Sequence, residues 1–132
     1  MTVEQLIKEA LLAREQAYAP YSGFAVGAAL LCDDGAVFHG CNVENVAYGD
    51  TMCAERTAFF QAIANGQRNF RSLAIVGGKM NQSPEDYCYP CGSCRQVIAE
   101  FVPDDFEIVV AKNATNYKIF TMSELLPGTF RL

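Results

Sequence analysis

The sequence lacks the features of a membrane or secreted protein. It contains no run of about 18 apolar residues, the length that a transmembrane helix needs. Its first residues, Met1-Thr2-Val3-Glu4-Gln5-Leu6, do not show the basic segment followed by an apolar one that marks a secretory signal. These absences predict a cytoplasmic protein.

Charged residues are also scarce. Asp, Glu, Lys and Arg make up 19% of the chain, the formal net charge is −5, and the Lys and Arg residues are scattered. A protein that binds a long nucleic acid normally carries a basic surface that neutralises phosphates. Because no basic cluster is present, we expect a small-molecule substrate and no nucleic-acid partner.

Repeats, low-complexity tracts and linkers are absent as well. At 132 residues the chain is long enough to bury a hydrophobic core but has no room for a second one. We therefore expect one domain spanning residues 1–132.

Apolar spacing and turn residues predict helices that alternate with strands. A capping box of Thr2 and Gln5 begins the first helix, and Pro20 ends it. The predicted helices cover residues 3–18, 53–64 and 91–101, with a closing turn at 123–126. The predicted strands cover residues 24–32, 36–41, 73–76, 106–111 and 117–120, and residues 77–89 form a polar loop. This order favours an α/β sandwich with a hairpin, turned by Asp33-Asp34-Gly35, at one end and parallel crossovers afterwards.

Two short segments carry the chemistry: Cys53-Ala54-Glu55 and Pro90-Cys91-Gly92-Ser93-Cys94. Each lies at the predicted start of a helix, and Cys91 and Cys94 are one helical turn apart. Three protein ligands are typical of a catalytic zinc, which keeps one coordination position open. Glu55 would not bind the metal and would be free to move protons. The pattern fits the three-cysteine form of the zinc nucleobase deaminase signature.

Three thiolates around Zn²⁺ leave a formal charge of −1, which disfavours the ionisation of water and must be offset. The two helix amino termini supply partial positive charge and favour the thiolate form. Arg56, three residues after Cys53 on the same helix face, can donate hydrogen bonds to the thiolates.

The cysteines also permit roles other than a catalytic metal site. Three disulfides would suit a short secreted chain, which this sequence does not resemble. A structural zinc would need a fourth ligand, for which Cys88 and the lone His39 are the candidates. A redox Cys-x-x-Cys would leave Cys53, Glu55 and Arg56 without a role. We interpret Cys32 and Cys41, in predicted strands, as core residues and His39 as a surface residue.

At these residues the sequence resembles the cytidine deaminases, specifically the small-subunit homotetrameric kind. The resemblance covers essentially the whole chain, in five blocks that follow the family's order. The blocks are Ala19-Pro20-Tyr21-Ser22 with Phe24-Ala25-Val26-Gly27-Ala28-Ala29, Gly40-Cys41-Asn42-Val43-Glu44-Asn45, Cys53-Ala54-Glu55-Arg56-Thr57-Ala58, Pro90-Cys91-Gly92-Ser93-Cys94-Arg95-Gln96, and Glu124-Leu125-Leu126-Pro127. The loop at 77–89 is longer than is usual in the family.

The resemblance implies a three-layer sandwich around a five-stranded mixed sheet, one zinc per subunit, and roles for particular residues. Cys53, Cys91 and Cys94 would bind zinc, Glu55 would be the proton shuttle, and Arg56 would support the thiolates. The substrate would contact Phe24 at the base, Asn42 and Glu44 at the ribose hydroxyls, and the backbone of Ala54 at the exocyclic amine. Tyr48 and Phe130 match aromatic positions that are lent between subunits of a homotetramer.

The activity implied is hydrolysis of cytidine and deoxycytidine to uridine and deoxyuridine with release of ammonia, in pyrimidine salvage. One alternative is a deaminase of the same fold that acts on a cytosine-containing antibiotic. Another is a zinc-binding module without catalytic activity. A deaminase that edits nucleic acid is disfavoured by the acidic charge balance.

Overall fold

The computed structural model of the protein describes all residues from Met1 to Leu132. Its helices and strands, in chain order, are α1 (Val3–Arg14), β1 (Phe24–Cys32), β2 (Val37–Cys41), α2 (Ala54–Ala64), β3 (Phe70–Lys79), α3 (Gly92–Phe101), β4 (Glu107–Asn113), β5 (Asn116–Thr121) and α4 (Met122–Leu125). A short 3₁₀ turn at Tyr48–Asp50 lies between β2 and α2. No helix combines the length and the apolar character that crossing a membrane requires.

The five strands form one mixed sheet in the order β2-β1-β3-β4-β5. β3 and β4 are parallel and α3 connects them, whereas the other neighbouring strands are antiparallel. A parallel pair needs such a crossover because a short turn between two neighbouring strands makes them antiparallel. The predicted mixed sheet, its hairpin and its crossover are confirmed.

Helices cover both faces of the sheet. On one face α1 buries Leu6, Ile7 and Ala10 against β1, β3 and β4. On the other face α2, α3 and α4 build the larger core, in which the Phe59 ring is completely buried. Apolar residues on both faces of the central strands explain why their sequences read as nearly continuous apolar runs. The three-layer sandwich expected from the sequence is confirmed.

The first helix is shorter than predicted. α1 begins at the expected capping box, in which Thr2 and Gln5 bond each other's backbone N–H groups, but it ends at Arg14 instead of near Tyr18. The reason is tertiary: Tyr18 N–H donates to the carbonyl of Asn42, and its carbonyl accepts from Glu44 N–H. Pairing with the segment after β2 therefore replaces the last helical turn.

Strand β3 is longer than predicted and includes Gly77 and Gly78, which the sequence placed in a loop. The strand continues because β1 pairs along its whole length, with Val26 opposite Gly77 and Phe24 opposite Lys79. The loop proper therefore begins at Met80. All other predicted elements lie within two residues of the observed ends.

Candidate active site

The amino termini of α2 and α3 meet at one end of the sandwich, and each carries cysteine. Cys53 is the N-cap residue of α2, Cys91 is the N-cap residue of α3, and Cys94 is in the first turn of α3. The start of α2 is held against β2, because the Thr57 hydroxyl donates to the carbonyl of Cys41 and accepts from its N–H, at 2.9 and 3.0 Å. Gly40 permits this contact, since a Cβ there would lie 2.2 Å from the carbonyl oxygen of Ala54.

The three cysteine sulfurs lie within 4.8 Å of one another. Tetrahedral coordination with Zn–S bonds of about 2.3 Å would place them about 3.8 Å apart, so only a small contraction is required. Cys94 is buried, Cys53 is partly buried and Cys91 is exposed, which leaves the cluster open on one side. The donor set and its spacing fit a zinc ion with one open position.

The cluster already favours a thiolate. Hydrogen bonding from the Cys94 thiol lowers the pKa of Cys53 to about 6 despite burial, and Cys91 and the Arg56 charge act in the same direction. The pKa of Cys94 is correspondingly raised, because hydrogen bonding to Cys53 and burial both favour its protonated form. The helix amino termini add partial positive charge at the same place.

Arg56 lies beside the sulfurs with part of its hydrogen-bonding capacity unused. Its Nε–H is buried and has no hydrogen-bond partner. Burial opposes its charge, yet Cys94, Cys53 and Cys91 together raise the pKa of Arg56. An unpaired buried donor costs about 1–3 kcal/mol, and metal-bound thiolates would be suitable acceptors for it. The orphaned donor therefore fits a metal-loaded cluster, and hydrogen bonding from Arg56 to the thiolates stays a prediction.

Glu55 is only 4% exposed and is not one of the clustered ligands. Burial raises the pKa of its carboxyl to about 7, and the nearby charge of Cys53 contributes. A carboxyl with a pKa close to neutrality can both accept and release a proton at working pH. This is the property required of a proton shuttle.

A cleft of about 310 Å³ opens in front of the cluster. It contains Glu55, Cys53 and Cys91, together with four of the residues that the sequence assigned to substrate: Phe24, Asn42, Glu44 and Ala54. No Lys or Arg side chain lines it. The volume is at the lower end of the range for small-molecule sites, which agrees with a nucleoside-sized ligand.

Asn42 anchors the start of β1. Its side-chain oxygen accepts from Val26 N–H at 2.9 Å and its amide nitrogen donates to the carbonyl of Phe24 at 2.8 Å. One amide hydrogen of Asn42 remains for another acceptor.

Glu44 holds the segment before β1. It accepts from the N–H groups of Tyr21 and Ser22 at 3.0 and 3.1 Å and also from the Ser22 hydroxyl. The hydroxyl bond lowers the pKa of Glu44, followed by the backbone bonds. The carboxylate therefore carries a negative charge at the rim of the cleft and retains lone pairs for a hydroxyl group.

Two predicted aromatic residues do not enter this cleft within one chain. Tyr48 is 74% exposed and lines an adjoining cavity with Tyr21, Ser22 and Glu44. Phe130 is 68% exposed and lies outside both cavities. Neither ring caps the core of its own chain. Their contribution to a neighbouring subunit stays a prediction.

The alternative roles of the cysteines find little support in the structure. All six cysteines are free thiols. The cluster contains neither Cys88 nor His39, and His39 contacts Glu9 at the surface, 3.3 Å away. Cys32 is buried in the main core as expected, whereas Cys41 is only partly buried.

Sequence reasoning gave no substrate role to five residues of the cleft. Ser22, Val26, Thr51, Cys88 and Tyr89 all line it. Ser22 and Val26 belong to the segments that resemble the family, but their side chains suggest no chemistry of their own. Cys88 and Tyr89 lie in the loop before Cys91, where sequence reasoning considered Cys88 only as a fourth ligand of a structural zinc.

Comparison with known proteins agrees with this geometry. Residues 1–111 match the family described as the cytidine and deoxycytidylate deaminase zinc-binding region. A protein of Sporosarcina psychrophila named cytidine deaminase is 51% identical over 98% of this chain and 92% of its own, and one of Halalkalibacterium halodurans is 48% identical over 98% and 95%. The crystal structure of cytidine deaminase from Burkholderia pseudomallei matches with a TM-score of 0.89 and 47% identity, covering 98% of this chain and all of that one.

Proposed function

This chain belongs to the cytidine and deoxycytidylate deaminase family and is a hydrolase of the cytidine deaminase kind, and we propose that it converts both cytidine and deoxycytidine to uridine and deoxyuridine, with release of ammonia. One observation carries the proposal: a cluster of three thiols that could hold a metal ion, and a buried carboxylate outside that cluster, lie at one nucleoside-sized cleft. The catalytic domain would comprise residues 1–132, and the reaction would serve pyrimidine salvage. Six free thiols are consistent with a cytoplasmic location.

Cys53, Cys91 and Cys94 would hold one zinc ion, which would lower the pKa of water and supply a nucleophile at neutral pH. Glu55 would take a proton from the attacking water and pass it to N3 of the ring. It would then deliver the second proton to the departing amine, so that one water is consumed for each ammonia released. The raised pKa of Glu55 supports both transfers.

The remaining cleft residues would orient the nucleoside. The exposed edge of Phe24 would pack against the base, and the backbone of Ala54 would contact the exocyclic amine. Asn42 and Glu44 would bind the ribose hydroxyls with the hydrogen-bonding capacity that their backbone contacts leave free. Arg56 would stabilise the thiolates.

A direct assay tests the proposed reaction. Purified protein should lower the ultraviolet absorbance of cytidine and of deoxycytidine at a wavelength where the uridine products absorb less. It should also contain close to one zinc per chain by elemental analysis. A strong chelator should abolish turnover, and added zinc should restore it. Zinc without turnover would favour a non-catalytic binding module. Turnover of a cytosine-containing antibiotic in preference to both nucleosides would favour that alternative.

Free nucleosides should be much better substrates than CMP. Ionised Glu44, which we expect to lie beside the ribose, would repel a phosphate, and no Lys or Arg lines the cleft to bind one. We expect kcat/KM for CMP to be at least about 100-fold lower than for cytidine, equivalent to about 2.7 kcal/mol. Matched assays with cytidine, CMP and a cytosine-containing oligonucleotide measure this difference, and similar values for cytidine and CMP would contradict it.

We also propose that the active form is a homotetramer with shared sites. Hydrophobic residues make up 51% of the chain, and Val46, Tyr48 and Phe130 are all more than half exposed. We expect these exposed, largely apolar side chains to be covered by other subunits. The exposed side of Cys91 would be covered at the same time.

A further inference from the structure

Cys88 lines the candidate substrate cleft but is not part of the three-cysteine cluster. It lines the cleft together with Phe24 and Glu55, and its sulfur is absent from the group formed by the other three thiols. Burial raises the pKa of Cys88 to about 12, and the negative charges of Glu55 and Cys53 act in the same direction. The thiol is therefore neutral, and its influence on the cleft is exerted through its volume.

Gly77 provides the space that Cys88 occupies. In the pairing of β1 with β3, Gly77 lies opposite Val26, on the face of the sheet that carries the cleft. A Cβ on Gly77 would lie 2.7 Å from the Cys88 sulfur, 2.9 Å from the Cys88 Cβ and 3.2 Å from the Cε1 atom of Phe24. The first two distances are shorter than real contacts and the third is tighter than most, so the Cys88 side chain and the Cε1 atom of Phe24 both lie beside the bare backbone of Gly77.

The two residues beside Cys88 fix its position. The ammonium groups of Lys112 and Lys118 lie 4.8 and 4.7 Å from the centre of the Tyr87 ring, and the Tyr87 hydroxyl donates to the side-chain oxygen of Asn116. Such cation–π contacts stabilise a ring by about 0.5–1 kcal/mol each at exposed sites.

On the other side of Cys88, the Tyr89 ring packs against Phe120 with centroids 5.8 Å apart. The β4–β5 hairpin thus holds the chain on both sides of Cys88, so the thiol cannot easily withdraw from Phe24.

We propose that Cys88 is a positioning residue, which occupies the space left by Gly77 and sets the position of the Phe24 ring against the pyrimidine base. The inference rests on the proposed function, because it assumes that Phe24 packs against the base. It assigns to the loop after β3 a role in substrate affinity that does not involve metal binding or proton transfer.

Changing the size of residue 88 should weaken binding. Cys88→Ala would let the Phe24 ring move towards Gly77, and Cys88→Leu would push the ring into the cleft. For each variant we expect KM for cytidine to rise about tenfold, or about 1.4 kcal/mol, while kcat changes by less than about threefold. Cys88→Ser, which keeps nearly the same volume, should remain close to wild type in KM.

An exchange of the two residues tests the contact itself. Gly77→Ala should raise KM because the new methyl group displaces Cys88 and Phe24. The double variant Gly77→Ala/Cys88→Gly should restore much of the lost affinity, since the methyl group then occupies the space of the thiol. A purely structural effect would instead lower the melting temperature and reduce kcat and zinc content together, without rescue.

Affinity measured without turnover keeps this test separate from the test of function. The same substitutions are placed in a Glu55→Gln background, and the Kd for cytidine is measured by calorimetry at equal zinc content. A parallel rise in Kd, reversed in the double variant, supports the inference. It is overturned if Cys88→Ala and Cys88→Leu both keep the parental Kd, or if Gly77→Ala is not rescued. Failure of the proposed function would appear separately, as wild-type protein that does not deaminate cytidine.

Discussion

Glu55→Ala should lower kcat for cytidine by about 10⁴-fold while leaving the zinc content and the fold intact. General acid–base catalysis by one side chain contributes about 10²–10⁴-fold, and we propose that Glu55 serves in two proton transfers. A 10⁴-fold loss corresponds to about 5.4 kcal/mol of transition-state stabilisation. Single-turnover measurements and elemental analysis of the same preparation would show the two properties separately.

The burial of Glu55 explains why its loss should not unfold the protein. The side chain is 4% exposed, and its raised pKa shows that the charged form is disfavoured at this place. Removal of a group that ionises with difficulty eliminates a desolvation cost as well as some packing. Glu55→Gln keeps the volume and can still bind substrate, but it cannot exchange a proton, so it should lose nearly as much activity as Glu55→Ala.

Two further variants complete the comparison. Glu100→Gln makes the same chemical change as Glu55→Gln, but at an exposed position of α3, and should behave as wild type. Cys91→Ala should lose zinc together with activity, because it removes a ligand and not a proton carrier. If Glu55→Ala deaminates cytidine within about tenfold of the wild-type rate, the proton-shuttle role is wrong.

The parts of the site that could be predicted from sequence are those that depend on local geometry. Cys91 and Cys94 are one helical turn apart, and the structure places them at the start of α3 as expected. Cys53 and Glu55 follow the same logic at the start of α2. Residue type, spacing and helix boundaries sufficed to place these side chains at the two helix starts, because a helix start fixes the relative positions of its first side chains.

The parts that could not be predicted depend on contacts between distant segments. Tyr18 leaves the first helix because it pairs with the segment after β2, and Gly77 joins β3 because β1 continues alongside it. The place of Cys88 is set by Tyr87 and Tyr89, whose partners lie on β4 and β5. No local pattern encodes such pairings, so the loop after β3 could be recognised only as a loop.

Removal of the tail after Leu126 should dissociate the proposed homotetramer and reduce activity by about 100-fold or more. A hot-spot side chain at the centre of an interface contributes at least about 2 kcal/mol to association, and Phe130, which we expect to be one, is exposed on the isolated chain. The tail is nevertheless tied to its own subunit, since Arg131 donates to the carbonyls of Ala99 and Val102 at 2.6 and 2.9 Å. Light scattering and cytidine turnover on the same samples would measure both effects.

Because truncation also removes the Arg131 bonds, Phe130→Ala is the sharper variant: it keeps those bonds and deletes only the exposed ring. We expect Phe130→Ala to remain folded but to assemble weakly and to lose activity, with a melting temperature lowered only by the loss of subunit association. Co-expression of Phe130→Ala with Glu55→Gln then tests whether sites are shared. If Phe130 of one subunit completes the cleft of another, mixed assemblies contain some sites with both Glu55 and Phe130, and activity rises above that of either variant alone. A wild-type monomer that is fully active at nanomolar concentration, or mixed assemblies with no gain in activity, would contradict shared sites.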